Sequence, residues 1–278
     1  MPKDSDMSTL ARDALFESLD HWRVSDSRFA KAYGLTGDGG RALLKTCIAA
    51  LYQAGQQGAL PMVSSTSVFH DGTSRTENRA SRPWFALVLD PAVAAPAQVL
   101  AALLPAVCRR IPLVAVIRPR SRTVWPAPVL TALELCGIEQ VLEPSGRDLG
   151  QCLAMLRSVL GPGGVACLGS AVFWSGARAV GEDSGAAHWL KSPDAAGLLV
   201  GEDLIWNREA LKVAHAGVEI REYTTPQALD AAGHDAVFAP AGLAPATASL
   251  VLEPGREVLW DWPDMPGELF FARRLVYS

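Results

Sequence analysis

Several common sources of chemistry are missing from this chain. There is no Gly-x-Ser-x-Gly turn to raise a serine nucleophile, no Walker loop to cradle a nucleoside triphosphate and no strict Gly-x-Gly-x-x-Gly to open a dinucleotide site. Gly161-Pro162-Gly163-Gly164 is rich in glycine, but it precedes an apolar run instead of following one and reads as a helix stop. His21, His70, His188, His215 and His234 lie far apart in sequence and no two form a metal-ligand pair, so no metal site is expected. No apolar stretch reaches the roughly 18 residues that span a bilayer, and the opening MPKDSDMSTLARD is polar, unlike a secretion signal. Net charge is −4 and basic residues cluster only at Arg118, Arg120 and Arg122, so a nucleic-acid footprint is absent apart from that loop. The cysteines (Cys47, Cys108, Cys136, Cys152, Cys167) show no pairing pattern, which fits a reducing compartment and makes the cytoplasm the expected location.

What the chain does hold is globular material: 278 residues, 49% apolar and 19% charged, enough for one large domain or two modest ones. Its organising signal is alternation. Residues 84–89 (WFALVL) are an apolar run closed by Asp90-Pro91, too short for a stable helix and suited to a buried strand. Residues 95–110 then place Val99, Leu100, Leu103, Leu104 and Val107 at helical spacing, with Arg109 and Arg110 at the negative end of the helix dipole. The unit repeats as strand 113–117 and helix 126–136, strand 138–142 and helix 148–160, then strand 165–168 running into Gly169-Ser170. This predicts an α/β fold, a doubly wound, mostly parallel Rossmann-like sheet covered on both faces. Ligands bind such sheets beyond the carboxyl ends of the strands, here residues 90–93, 118–121, 143–146 and 168–171. Small residues opening a helix at Gly169-Ser170 would leave backbone N–H groups for an anion such as phosphate, and Arg118 and Arg120 add charge. Either that basic loop contacts a phosphate or it is a solvated loop.

The succession of helix, apolar strand, Arg118-Pro119-Arg120-Ser121, helix, Cys136-Gly137-Ile138-Glu139-Gln140-Val141, Ser145-Gly146-Arg147-Asp148, helix, strand and Gly169-Ser170 resembles the cofactor domain of the aldehyde dehydrogenase and histidinol dehydrogenase superfamily. The resemblance implies an NAD or NADP site. Arg118, Pro119 and Ser121 would stand in the loop that contacts the adenosine ribose, Gly169 and Ser170 in the turn that contacts the pyrophosphate, and Gly146 in a neighbouring loop. The step from Pro105 to Arg118, Ser192-Pro193-Asp194 and the acidic stop at Glu202-Asp203 look more like histidinol dehydrogenase.

The same resemblance implies catalytic parts that the chain does not supply. An aldehyde dehydrogenase needs a thiolate nucleophile, a carboxylate base and an amide for the oxyanion. Too little chain follows Asp203 for the usual catalytic domain, and the loop 90–93 has no Asn where the amide belongs. All five cysteines sit in apolar contexts and read as small buried hydrophobes. Cys167 is the weak candidate for a nucleophile, since the Leu168-Gly169-Ser170 turn follows it and a helix N-terminus lowers a thiol pKa. Histidinol dehydrogenase would bring zinc ligands after the acidic stop, where residues 205–216 offer only His215.

Around the sheet, residues 1–60 are expected to form an N-terminal helical arm, with one helix carrying Leu10, Leu15, Phe16 and Leu19, a loop at 34–40 and a second helix over 41–54. Residues 61–82 are expected as an exposed loop over the ligand edge or a linker, 83–246 as the Rossmann-like domain, and 247–278 as a hairpin and tail. In that tail, 249–253 and 256–262 read as strands joined by Pro254-Gly255. Val251, Leu259, Trp260 and Trp262 give the hairpin more apolar surface than it can bury alone, so it folds back on its own domain or docks on a second copy; a homo-oligomer through 249–262 is expected. The functional expectation is an aldehyde/histidinol dehydrogenase-like protein, catalytically incomplete, binding NAD(P) or another phosphate-bearing ligand. Two alternatives stay open: an active NAD(P)-dependent oxidoreductase with an atypical site, and a non-catalytic interaction or assembly module.

Overall fold

The computed structural model describes residues 4–55, 62–170, 173, 187–192 and 195–278, with the side chains of all but 4–11. Its centre is a parallel sheet of β3 (Trp84–Leu89), β4 (Leu113–Ile117), β5 (Gln140–Leu142), β6 (Gly164–Leu168) and β7 (Ala187–Lys191), ordered β5-β4-β3-β6-β7. The strands pair where the apolar runs stand in the sequence. β3 shows why those runs are continuous: every residue is buried, and successive side chains enter opposite cores. Phe85, Leu87 and Leu89 pack in the core shared with α2 (Asp26–Gly55), α3 (Pro96–Cys108) and α4 (Ala127–Leu135). Trp84, Ala86 and Val88 pack on the other face with α1 (Asp4–Asp20) and α5 (Leu149–Leu160). Helices on both faces of a parallel sheet make this the doubly wound α/β fold expected.

The glycines before β6 do more than stop α5. Gly161 caps that helix at φ 82°, and a Cβ on Gly164 would lie 1.9 Å from the carbonyl oxygen of Leu269. Backbone therefore packs on backbone at the start of β6.

Elsewhere the structure departs from the sequence reading. The loop expected at 34–40 contracts to a break at Gly37 (φ 66°, ψ 169°), which divides α2 into two helical segments as the sequence anticipates. Ala32, Leu44 and Cys47 on that helix are buried against α3 and α4, and this tertiary packing outweighs the poor helix propensity of the glycines. The segment 61–82, expected as a loop, carries β1 (Met62–Val68) and β2 (Ser74–Ser81), an antiparallel hairpin whose second strand also pairs with β12 (Phe271–Tyr277). These strands are polar and largely solvated. Cross-strand pairs hold them, such as Thr66 with Thr76 at 3.0 Å and Glu77 with Arg273 at 3.0 Å, in place of an apolar face.

The stretch 83–246, read as one sheet, builds two. β8 (Ala196–Leu199), β9 (Ile220–Tyr223), β10 (Ala236–Phe238) and β11 (Leu250–Leu252) form a separate parallel sheet in the order β11-β10-β8-β9, with α6 (Arg208–Ala214) and α7 (Pro226–Ala232) as its connecting helices. Gly197 sits close to α7, where a Cβ would meet Leu229 Cδ1 at 2.4 Å and that side chain would have to shift.

The expected hairpin at 249–262 is not formed. Its first half is β11, parallel to β10, and residues 256–262 hold no strand. Trp260 and Trp262 are buried in their own chain, each ring 5.5 Å from the next in a run from Trp189 through Trp262 to Trp260. Burial of an aromatic side chain contributes roughly 1.5–3 kcal/mol wherever the cover comes from, and here the chain supplies it. The apolar surface that motivated a dimer through 249–262 is thus already covered. Among the described residues, no helix is long and apolar enough to cross a membrane.

Candidate ligand site at the carboxyl edge of the sheet

The strand order reverses between β3 and β6, so the loops leaving these two neighbours diverge and open a crevice at their carboxyl ends. Asp90 follows β3 and Gly169-Ser170 follows β6. Asp90 N donates to Leu168 O at 2.8 Å, which carries the strand register into the loop. The carboxylate then turns inward. Its Oδ1 accepts from Ala92 N at 2.9 Å, and its Oδ2 accepts from both the backbone N and the Oγ of Ser170, at 3.2 and 3.0 Å. Ser170 Oγ in turn accepts from Phe173 N at 3.3 Å. A Cβ on Gly169 would stand 2.4 Å from Asp90 Cβ, so glycine is what lets the two loops approach. The Ser170 donor that the sequence offered to a phosphate is held by a carboxylate of the chain itself.

Arg118, the other half of the expected phosphate site, is fully buried. Its Nη2 donates to Pro91 O at 2.8 Å, Thr123 O at 3.1 Å and Val124 O at 3.2 Å, and the guanidinium lies 4.9 Å from the Trp125 ring centroid. Glu143 is 3.9 Å from its Nη1 but hydrogen-bonds Arg28 at 2.6 Å. Burial lowers the Arg118 pKa, with Glu143 opposing. Arg118 therefore ties the loop after β4 to the loop after β3. That is a positioning role, and it corrects the expectation of a ligand contact. Pro119 is also buried, whereas Arg120, Ser121 and Gly146 are exposed, with Ser121 Oγ accepting from Thr123 N at 3.1 Å in a local turn. Only Gly169 and Ser170 of the expected cofactor residues reach the crevice. Ala171, Pro193 and Asp194 lie outside the described residues.

Cys167 is buried on the α5 face of β6, and burial pushes its thiol pKa up; Cys47, Cys136 and Cys152 are pushed up to about 12 by the same cause. Each is a protonated thiol at neutral pH, the wrong state for a nucleophile. Among the described residues no group of His, Cys, Asp and Glu is placed to hold a metal ion. His215 is buried beside Trp260 and Phe238, with Nε2 2.8 Å from Glu257 O, and burial lowers its pKa to about 4.

Sequence reasoning did not single out the residues that reach the crevice from outside the expected loops, Gln98 above all. A cavity of about 360 Å³ is lined by Asp90, Val93, Gln98, Ser170, Ser192 and Gly217 among others, the last from the loop that leads into β9 of the second sheet. Gln98, in the first turn of α3, is fully buried, and among the described residues neither its Oε1 nor its Nε2 has a hydrogen-bond partner. Ser192 Oγ donates to Gly169 O at 3.0 Å on the opposite wall. In sequence Gln98 is one polar residue among apolar ones on a helix, and no spacing marks it.

No family model and no curated sequence matches the chain. Among solved structures, histidinol dehydrogenase from Elizabethkingia anophelis matches over 100% of this chain and 85% of that one, with a TM-score of 0.58 at 10% identity. The fold is that of histidinol dehydrogenase. Indole-3-acetaldehyde dehydrogenase in its apo form matches more loosely, at 12% identity over 98% of this chain and 87% of that one, with a TM-score of 0.42. PnpE in complex with nicotinamide adenine dinucleotide matches at 15% identity over 74% of this chain and 46% of its own length, with a TM-score of 0.38. The resemblance to histidinol dehydrogenase is borne out as a likeness of fold. The residues present do not fit a dinucleotide in the place that resemblance implies. A pyrophosphate at Ser170 would meet the Asp90 charge, and two like charges about 4 Å apart repel by roughly 4 kcal/mol at an effective dielectric near 20. Arg118, which would offset that repulsion, faces inward.

Proposed function

We propose that this histidinol dehydrogenase-fold protein is a non-catalytic binder of a small molecule, using the crevice between β3 and β6. The observation that carries the reading is the Asp90 carboxylate on the Ser170 N–H and Oγ. It leaves a preformed cavity at the switch point of an open α/β sheet, where such folds bind ligands, while taking up the donors a cofactor phosphate would use. The buried, protonated state of Cys167 supports the absence of thiolate chemistry. Calorimetric titration with NAD and NADP, together with a hydride-transfer assay on aldehydes and amino alcohols, tests it. The expected result is no saturable binding of either dinucleotide and no turnover; turnover with either cofactor overturns it.

A second reading, an assembly role, rests on the β1-β2-β12 sheet. Met62 and Val68 on β1, Phe69 in the turn that follows and Tyr277 on β12 are exposed, apolar side chains along the two edge strands that a partner could cover. Sedimentation of the full chain against a Met62→Ser, Tyr277→Ser variant distinguishes it.

A further inference from the structure

The groups that line the cavity select a ligand chemistry, provided that the crevice is the ligand site proposed above. We infer that it takes a phosphate-free small molecule that presents a hydrogen-bond donor beside an acceptor, a carboxamide or aminopurine edge, with Gln98 as its partner.

Gln98 is the first ground. Its amide offers an acceptor and two donors, is fully buried, and has neither heteroatom paired among the described residues. A buried polar group left without a partner is destabilising, and native structures rarely keep one without a use. A glutamine amide pairs bidentately with a group that donates and accepts side by side, as it does with the N6 and N7 edge of adenine. Its backbone is fixed, because Trp262 Nε1 donates to Gln98 O at 3.1 Å and the residue sits in the regular first turn of α3.

The second ground is the sign of charge. Asp90 lines the same cavity, and its two oxygens hold Ala92 N, Ser170 N and Ser170 Oγ. A carboxylate accepts about four hydrogen bonds, so capacity remains for a donor from the ligand but none for an anion. Ser192 Oγ, which donates to Gly169 O, still has lone pairs for a ligand N–H or O–H. A cavity of about 360 Å³ is at the small end of ligand pockets, room for one ring system and short substituents.

The experiment titrates the full chain by calorimetry with adenosine and benzamide as probes, and with AMP, inorganic phosphate and NAD as phosphate-bearing counterparts, at ligand concentrations up to about 1 mM. Adenosine and benzamide are expected to bind, with AMP at least about tenfold weaker than adenosine. Gln98→Leu is expected to weaken both probes at least about tenfold while holding or raising the melting temperature, because it removes an unpaired buried amide. A role confined to folding would lower the melting temperature and leave the affinity alone. Should Gln98→Leu lose the native circular dichroism, Gln98→Met keeps the volume and makes the same test. Asp90→Asn is expected to narrow the gap between adenosine and AMP. Binding of phosphate or NAD without either probe overturns the ligand class and leaves the crevice as a site. Binding by none of the five overturns the crevice reading itself, and probe affinity unchanged in Gln98→Leu overturns the role of Gln98.

Discussion

The indole Nε1 of Trp262 donates to the backbone carbonyl of Gln98 at 3.1 Å, joining the tail of the chain to the first turn of α3 directly at the wall of the cavity. The tail is thus part of the scaffold of the site, and its aromatic residues are core.

Replacing Trp260 and Trp262 by serine is therefore expected to unfold the chain before it dissociates anything. Loss of a buried tryptophan costs roughly 3–5 kcal/mol, enough at two positions to consume most of the stability of an ordinary domain. Urea denaturation followed by circular dichroism measures it. A double variant that keeps its denaturation midpoint but sediments as a smaller species would restore the tail as an interface between copies.

Arg118→Ala is expected to destabilise by about 3 kcal/mol, since it takes a buried donor from the carbonyls of Pro91, Thr123 and Val124 and opens a void beside Trp125. The shift in urea midpoint should be independent of salt, because the side chain is shielded from solvent. A variant of unchanged stability would make Arg118 a candidate ligand contact again.

The parallel sheet was legible because each strand is buried on both faces, which turns a two-sided periodicity into a continuous apolar run such as 84–89. The hairpin of β1 and β2 was illegible for the converse reason: its strands are polar and held by pairs between residues far apart in sequence, as in Arg273 on Glu77. At the site, sequence pointed to the right loops, since 90–93 and 168–170 do meet. It misassigned the charges. Nothing in the order of residues says that Asp90 turns onto Ser170 or that Arg118 turns inward, because both depend on loops from different strands closing over them.

Gly164→Ala probes the contact that seats the tail on β6. Its Cβ would fall 1.9 Å from Leu269 O, so backbone must move on one side or the other, and overpacking of this kind costs about 1–3 kcal/mol or more. A lowered melting temperature is expected, with no such loss for alanine at Gly146, where a Cβ meets nothing within 4 Å. Equal stability of the two variants would contradict the packing of residues 267–269 on β6.

Stability should also carry the signature of His215. Burial holds its folded pKa at about 4, below the ordinary 6.5, while the Glu257 carbonyl that accepts from Nε2 opposes that shift. Below pH 6.5 the unfolded chain takes up a proton at this position that the folded chain refuses, so stability falls with pH between about 6.5 and 4 and levels off beneath that window. From pH 7 to pH 5 the contribution is roughly 2 kcal/mol. His215→Phe removes the titrating group. The difference in unfolding free energy between wild type and variant should therefore shift by that amount, in favour of the variant, as the pH is lowered from 7 to 5. A difference that stays constant across this range would mean that His215 is solvated and charged, and that the second sheet does not close over it as the structure shows.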